Sequence, residues 1–154
     1  MNDEMDDFSI QPGVANYFGL VGAEANCVAP GKRPLSSMSP TIVMKDGKPI
    51  IAIGAAGGPK IISQVALGLI NMLDLGMEVQ AAIAAPRIHH QWSPNEVVCD
   101  KSLSAETQGG LKRLGHKLTT GNGMGIAQAV ARTSDGQAFA GAADPRGHGK
   151  AEGW

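Results

Sequence analysis

TIVMKDGKPIIAIGAAGGPK, residues 41–60, is the stretch whose reading decides the fold. Thr41 to Met44 and Pro49 to Gly54 read as two strands around Lys45-Asp46-Gly47-Lys48, because Asp-Gly supplies the positive φ that a tight hairpin turn requires. The second strand runs into Gly54-Ala55-Ala56-Gly57-Gly58-Pro59. A proline there fits the first turn of a helix, where its missing N–H costs no hydrogen bond. Beyond it Ile61, Ile62, Val65, Leu69, Met72 and Leu73 recur at helical spacing, which predicts an amphipathic helix over Lys60 to Leu75 with Gly76 as its stop.

Working outward, Glu78 to Ala85 reads as a second helix that ends before Pro86, whose ring disfavours helical geometry in the preceding residue. Val97 to Cys99 reads as a short strand. Ser104 is placed to cap a helix through Leu114, with Leu103, Leu111 and Leu114 as its inward residues. Lys117 to Thr119 reads as a short strand, Ile126 to Arg132 alternates with a period of two, and Asp135-Gly136 turns the chain into Gln137 to Ala142. Two hairpins around a helical centre predict an α+β fold of packed sheet and helix layers. Upstream, residues 1–40 show little periodicity and many turn formers, among them Pro12-Gly13, Pro30-Gly31 and Ser39-Pro40. So long a run of loops in one domain points to function or packing.

The whole chain, 1–154, is read as one domain, with loops over 1–40 and hairpins and helices over 41–154. Apolar residues make up 43% and charged residues only 18% of it, which suits a buried core or a face covered by another chain. A net charge of −1 gives no electrostatic footprint for nucleic acid. Cys27 and Cys99 are too few and too far apart for a disulfide framework and read as two free, partly buried thiols. No apolar run is long enough to form a membrane segment: Ile61 to Leu75 is short and carries Ser63, Gln64, Asn71 and Asp74.

The candidate chemistry sits on either side of the hairpin. Ser36 and Ser37 lie between Pro34 and Pro40, an acidic run (Asp3, Glu4, Asp6, Asp7) precedes them, and Gly57-Gly58 follows. Hydroxyls, a carboxylate and free backbone N–H groups are the means of holding a small zwitterion and stabilising a carbonyl oxygen. Gly54-x-x-Gly57-Gly58 resembles half a nucleotide loop, but Gly58-Pro59-Lys60-Ile61 lacks the Gly-Lys-Ser/Thr of a Walker loop, and a hairpin precedes it. Two readings of the glycine pair stand: N–H groups open to an anion or oxyanion, or close packing at a turn. Ser36 and Ser37 likewise read as ligand-binding hydroxyls or as turn caps. Ser36 lacks the Gly-x-Ser-x-Gly setting of a nucleophile elbow. His89-His90 has no further Cys or His at zinc spacing, and the acidic run lacks a calcium loop, so no metal or cofactor is expected.

Four blocks carry a family resemblance. Asn2-Asp3-Glu4-Met5-Asp6-Asp7-Phe8, Pro30 to Thr41, Ala85 to Trp92 and Asp144-Pro145-Arg146 resemble, in order and spacing, the small subunit of the gamma-glutamyltranspeptidases, or glutathione hydrolases. The resemblance implies an N-terminal-nucleophile hydrolase fold, an αββα sandwich completed by a large subunit cut from the same precursor. It implies a γ-glutamyl substrate such as glutathione, with Glu4 and Asp7 on the α-amino group, Ser36 and Ser37 on the α-carboxylate, and Gly57 and Gly58 as oxyanion donors. Arg33, Arg87, His89, His90 and Trp92 become framework residues. The family's nucleophile, an N-terminal threonine, lies several dozen residues upstream of the acidic run and has no match here; Thr41, Thr107 and Thr119 are internal. The chain by itself is therefore expected to be inactive, supplying the binding and oxyanion portion of a hydrolase/transferase or serving as an inactive binding module. Ala55-Ala56 stands where relatives tend to have Ser-Pro, and Asp3 where they tend to have Asn; the former predicts a looser turn. The family's habit implies a periplasmic or secreted location for a complete precursor.

Overall fold

The structure, a computed structural model, describes residues 4–121 and 123–153. Asn2 and Asp3 lie outside the described residues, and Glu4 is described by its backbone alone. The hairpin forms where the sequence places it: β1 (Thr41–Lys45) and β2 (Lys48–Ala56) pair antiparallel, with Asp46 and Gly47 both at positive φ, 51° and 73°. β2 continues two residues past its predicted end because β6 (Ile126–Arg132) pairs along its far edge as far as Ala56↔Ile126. β7 (Phe139–Ala143) joins β6 to complete an antiparallel sheet ordered β1-β2-β6-β7.

The alternation of these strands sends Ile51, Ile53, Ala127, Ala129 and Ala142 to one face. Against that face pack α1 (Lys60–Leu73), through Ile61 and Val65, and α2 (Val79–Ala84), through Val79 and Ile83. Gly68 lets α1 approach closely, since a Cβ there would come within 2.7 Å of Ile53 Cδ1. Ile62 and Leu73, grouped by periodicity with the core, are exposed. The opposite face of the sheet is apolar too, and open: Ile42, Val130 and Phe139 are 66%, 43% and 57% exposed. The closing segment crosses one edge of that face, with Ala151 against Gly141.

A second, smaller sheet is ordered β3-β4-β5. β4 (Val97–Cys99) and β5 (Leu118–Thr120) run parallel, which demands a crossover, supplied by α3 (Ala105–Arg113). Ser104 caps α3 as expected, its Oγ accepting the Thr107 N–H at 3.1 Å. Leu103 and Leu111 are half-buried, but Leu114, expected inward, is 77% exposed because the helix ends at Arg113 and turns away. β3 (Ile88–His89) is an antiparallel edge for β4, too short to show a period.

Residues 4–40 are loops, as their turn formers predict, fixed by the short 3₁₀ turns Glu4–Asp7 and Glu24–Asn26 and by single bridges Ser9↔Cys27 and Ala15↔Val21. Cys27 and Cys99 are free, the latter buried. Among the described residues no helix is long and apolar enough to cross a membrane.

Candidate functional site

A cavity of about 400 Å3 opens where the loop region meets the start of α1. Its walls include Asp7 from the acidic run, Ser36 and Ser37 from the proline-bounded segment, and Pro59 and Ser63 from α1 and its cap. Residues remote in sequence and singled out as candidates thus share one concave site. Gly57 and Gly58 do not line it; they form the turn that leads into Pro59 on its wall.

Two asparagines hold the loops in place. Asn26 Nδ2 donates to the Asp7 carbonyl at 2.8 Å while its Oδ1 accepts the Leu35 N–H at 2.9 Å, so one side chain ties the acidic turn to the serine segment. Asn16 Nδ2 donates to the Asp6 carbonyl, and its Oδ1 accepts the N–H groups of Phe18 and Leu20. Ser36 Oγ accepts the Met38 N–H at 3.2 Å, which realises the turn-cap reading and still leaves its hydroxyl proton for a ligand. Among the described residues the Ser37 hydroxyl makes no hydrogen bond, and Ser37 is half-buried.

The far wall is built by His89. Gln91 Nε2 donates to the carbonyls of Phe18 and Ser93, so Gln91 Oε1 is an acceptor and His89 Nε2, 3.0 Å away, carries the proton. His89 Nδ1 then accepts the Ser63 hydroxyl at 2.7 Å. Both nitrogens of His89 are committed within the wall, to Ser63 and Gln91. This is the framework role expected of it. His90 also bonds locally, to Asn95, but is exposed, as are Arg33 and Trp92.

Gly57 and Gly58 have φ of 139° and 57°, in the region that disfavours side chains. A Cβ on Gly58 would come within 2.7 Å of the Phe18 ring, and one on Gly57 within 3.0 Å of Gly125 Cα. Close packing is therefore real at both. Among the described residues neither N–H is used by another protein group, while the Gly57 and Gly58 carbonyls accept the N–H groups of Lys60 and Ile61. The close-packing reading of this pair is realised, and both N–H groups stay without a partner among the described residues.

Behind the turn lies a buried ionic network. Arg87, 4% exposed, donates to the Asp144 carboxylate at 2.7 Å, to the Ile83 carbonyl and to Gln64 Oε1. Arg146 bridges Asp144 and Asp100 and caps the α2 carbonyls of Ile83, Ala84 and Ala85. Burial pushes the Asp144 carboxyl up, but the Ala127 and Arg146 N–H groups and Arg87 outweigh it and hold it below the usual carboxylate range. Asp100 is likewise raised by burial and lowered further by Ser102 and Arg146. Both carboxyls thus ionise more readily folded than unfolded. Their contribution is complete above the unfolded value of about 3.9 and is lost as pH falls through the lower folded values. Urea midpoints are expected to drop steeply below about pH 4; a midpoint unchanged between pH 6 and pH 3 contradicts this.

The loop asparagines, Ser63 and Gln64 were not singled out from sequence. Polar side chains on a turn or on a helix face carry no signature until their partners are known. Among the described residues no three His, Cys, Asp or Glu side chains gather to hold a metal ion.

The sequence profile of the family described as Gamma-glutamyltranspeptidase matches residues 1–154. The Escherichia coli K12 glutathione hydrolase proenzyme is 48% identical over 146 residues, covering 95% of this chain and 25% of that protein. The Pseudomonas aeruginosa proenzyme is 44% identical, covering 97% of this chain and 27% of that protein. The chain therefore spans about a quarter of the length of these curated relatives. Among solved structures, a T380A mutant of Helicobacter pylori gamma-glutamyltranspeptidase matches with a TM-score of 0.89 and 42% identity over 96% of this chain and 81% of that one. The Pseudomonas nitroreducens enzyme complexed with L-DON gives 0.90 and 42% over the full chain and 81% of its own. The chain has an α+β fold that forms part of the N-terminal-nucleophile hydrolase αββα sandwich, with the mixed sheets and helices described above.

Proposed function

The chain belongs to the gamma-glutamyltranspeptidase family, and from that membership we propose that it supplies the substrate-binding and oxyanion portion of a γ-glutamyl hydrolase and transferase acting on glutathione and related compounds. The observation that carries the reading is the single cavity that gathers Asp7, Ser36 and Ser37 beside the Gly57-Gly58 turn. Its volume of about 400 Å3 is within the usual range for a small-molecule site.

In this reading the domain spans 1–154, with 1–40 as substrate-binding loops. Glu4 and Asp7 take the α-ammonium of the γ-glutamyl group, since a carboxylate and an ammonium make a short, charge-assisted bond. The Ser36 and Ser37 hydroxyls donate to its α-carboxylate. These contacts leave the γ-carbonyl to be attacked by a threonine hydroxyl, and the Gly57 and Gly58 N–H groups take up the negative charge that develops on its oxygen. An ester forms on that threonine as the amine leaves, and water or an acceptor amine then releases the γ-glutamyl group. No residue of this chain matches the threonine, so it comes from the rest of the precursor. The large subunit of that precursor also covers the open sheet face of Ile42, Val130 and Phe139, supplying the second β layer; unpartnered, so apolar a face favours association. A periplasmic or secreted location follows the bacterial members of the family.

The test is steady-state kinetics of the assembly with its large-subunit portion. Ser36→Ala and Ser37→Ala are each expected to raise KM for a γ-glutamyl substrate about tenfold or more, the effect of losing a hydrogen bond to a charged group. Unchanged KM in both variants refutes the assignment. Ligand binding without turnover in the wild-type assembly supports an inactive binding module instead.

A further inference from the structure

Gln64 lies on α1 inside the core and is 2% exposed. Its Nε2 donates to the Ala56 carbonyl at 3.1 Å, and its Oε1 accepts from Arg87 Nη1 at 3.1 Å. Arg87 is itself fixed by Asp144 and the Ile83 carbonyl, each at 2.7 Å, and reaches the Gly125 carbonyl at 3.5 Å. One end of the Gln64 amide is therefore anchored in the ionic network and the other on a single backbone oxygen.

That oxygen belongs to the peptide unit whose N–H is Gly57. The unit is planar and trans, so its carbonyl and its N–H point in opposite directions. Anchoring the Ala56 oxygen on a buried amide turns the Gly57 N–H away from that amide, and Gly57 is an exposed residue. The packing leaves little freedom. A Cβ on Gly125 would come within 2.1 Å of Gln64 Nε2 and 2.5 Å of the Ala56 oxygen, and one on Gly57 within 3.1 Å of Gln64 Nε2. Gly57, Gly125 and Gln64 form one close-packed knot around the amide.

The geometry points to Gln64 as a positioning residue that aims the Gly57 N–H at the oxyanion, with Arg87 as its second anchor. This rests on the oxyanion role proposed above. A donor fixed before the reaction needs no reorganisation as charge develops, and hydrogen bonds of this kind act on the transition state more than on the bound substrate. Loss of the anchor is therefore felt in kcat rather than in KM.

Two variants separate aiming from packing. Gln64→Met keeps the side chain's length and removes both polar contacts. Gln64→Glu keeps the contact to Arg87 and the volume, but turns an oxygen toward the Ala56 oxygen. In the assembled enzyme, with a γ-glutamyl amide as substrate, both are expected to lower kcat about 10- to 100-fold with KM within about twofold. Near wild-type kcat in Gln64→Glu overturns the assignment and leaves Gln64 as a partner for Arg87. So does failure of both variants to assemble, which makes the role one of folding. If the wild-type assembly itself does not turn over, the oxyanion reading fails first, and the inference falls with it.

Discussion

Arg87→Ala is expected to destabilise the protein by about 3–5 kcal/mol, the range for removing one partner of a buried ion pair. Asp144 has a side chain that is fully buried and would keep its charge with Arg146 as its remaining cationic partner. The carbonyl of Ile83 and the amide of Gln64 would lose a donor at the same time. With a urea slope of about 2 kcal/mol/M, the midpoint should fall by about 2 M. The paired replacement of Arg87 by Met and Asp144 by Leu should recover part of the loss, because it removes the stranded charge along with its partner. A shift below about 0.5 M for Arg87→Ala would show that the network contributes little. Chemical denaturation of the assembled protein measures this directly.

Gly57→Ala is expected to lower kcat about 100-fold while leaving KM near its original value. Two effects combine. At φ 139° an L-residue is strained whatever space surrounds it, and its Cβ would sit 3.0 Å from the Gly125 Cα, where backbone has to yield. The turn relaxes by rotating its peptides, and a rotated N–H no longer reaches the oxyanion; loss of one such donor costs about 100- to 1000-fold in a well-studied protease. An unchanged kcat would remove Gly57 from the catalytic machinery. A parallel rise in KM with constant kcat would place its effect on ground-state binding instead.

The parts of this architecture that were legible in the sequence are those written in local chemistry. Asp46-Gly47 specifies the first hairpin, Pro59 and the apolar spacing after it specify α1, and Ser104 specifies the start of α3. The second sheet was only partly legible. β4 was readable as a strand, but its parallel pairing with β5 depends on a crossover and on a partner found only in three dimensions. β3, with two residues, offers no alternation at all. At the site, the cavity unites Asp7, Ser36 and Ser37, which had been chosen for their chemistry and family resemblance. The tie from Gln64 to Ala56 was invisible because Gln64 reads as an ordinary polar position on a helix. It restrains a turn for which Ala55-Ala56 had suggested looseness.

The Asn26 amide has a consequence for selectivity. Loops that face each other across a cavity usually drift independently, and the gap between them adapts to whatever enters. Here one rigid carboxamide is grasped by both sides, by Asp7 through its carbonyl and by Leu35 through its N–H. It acts as a caliper set to one opening. In the proposed site the jaws of that caliper are the groups that grip the two ends of an amino acid's α-carbon. Under that proposal the site would measure the separation of ammonium and carboxylate, and a β-amino acid, longer by one methylene, is expected to bind more weakly than its α counterpart.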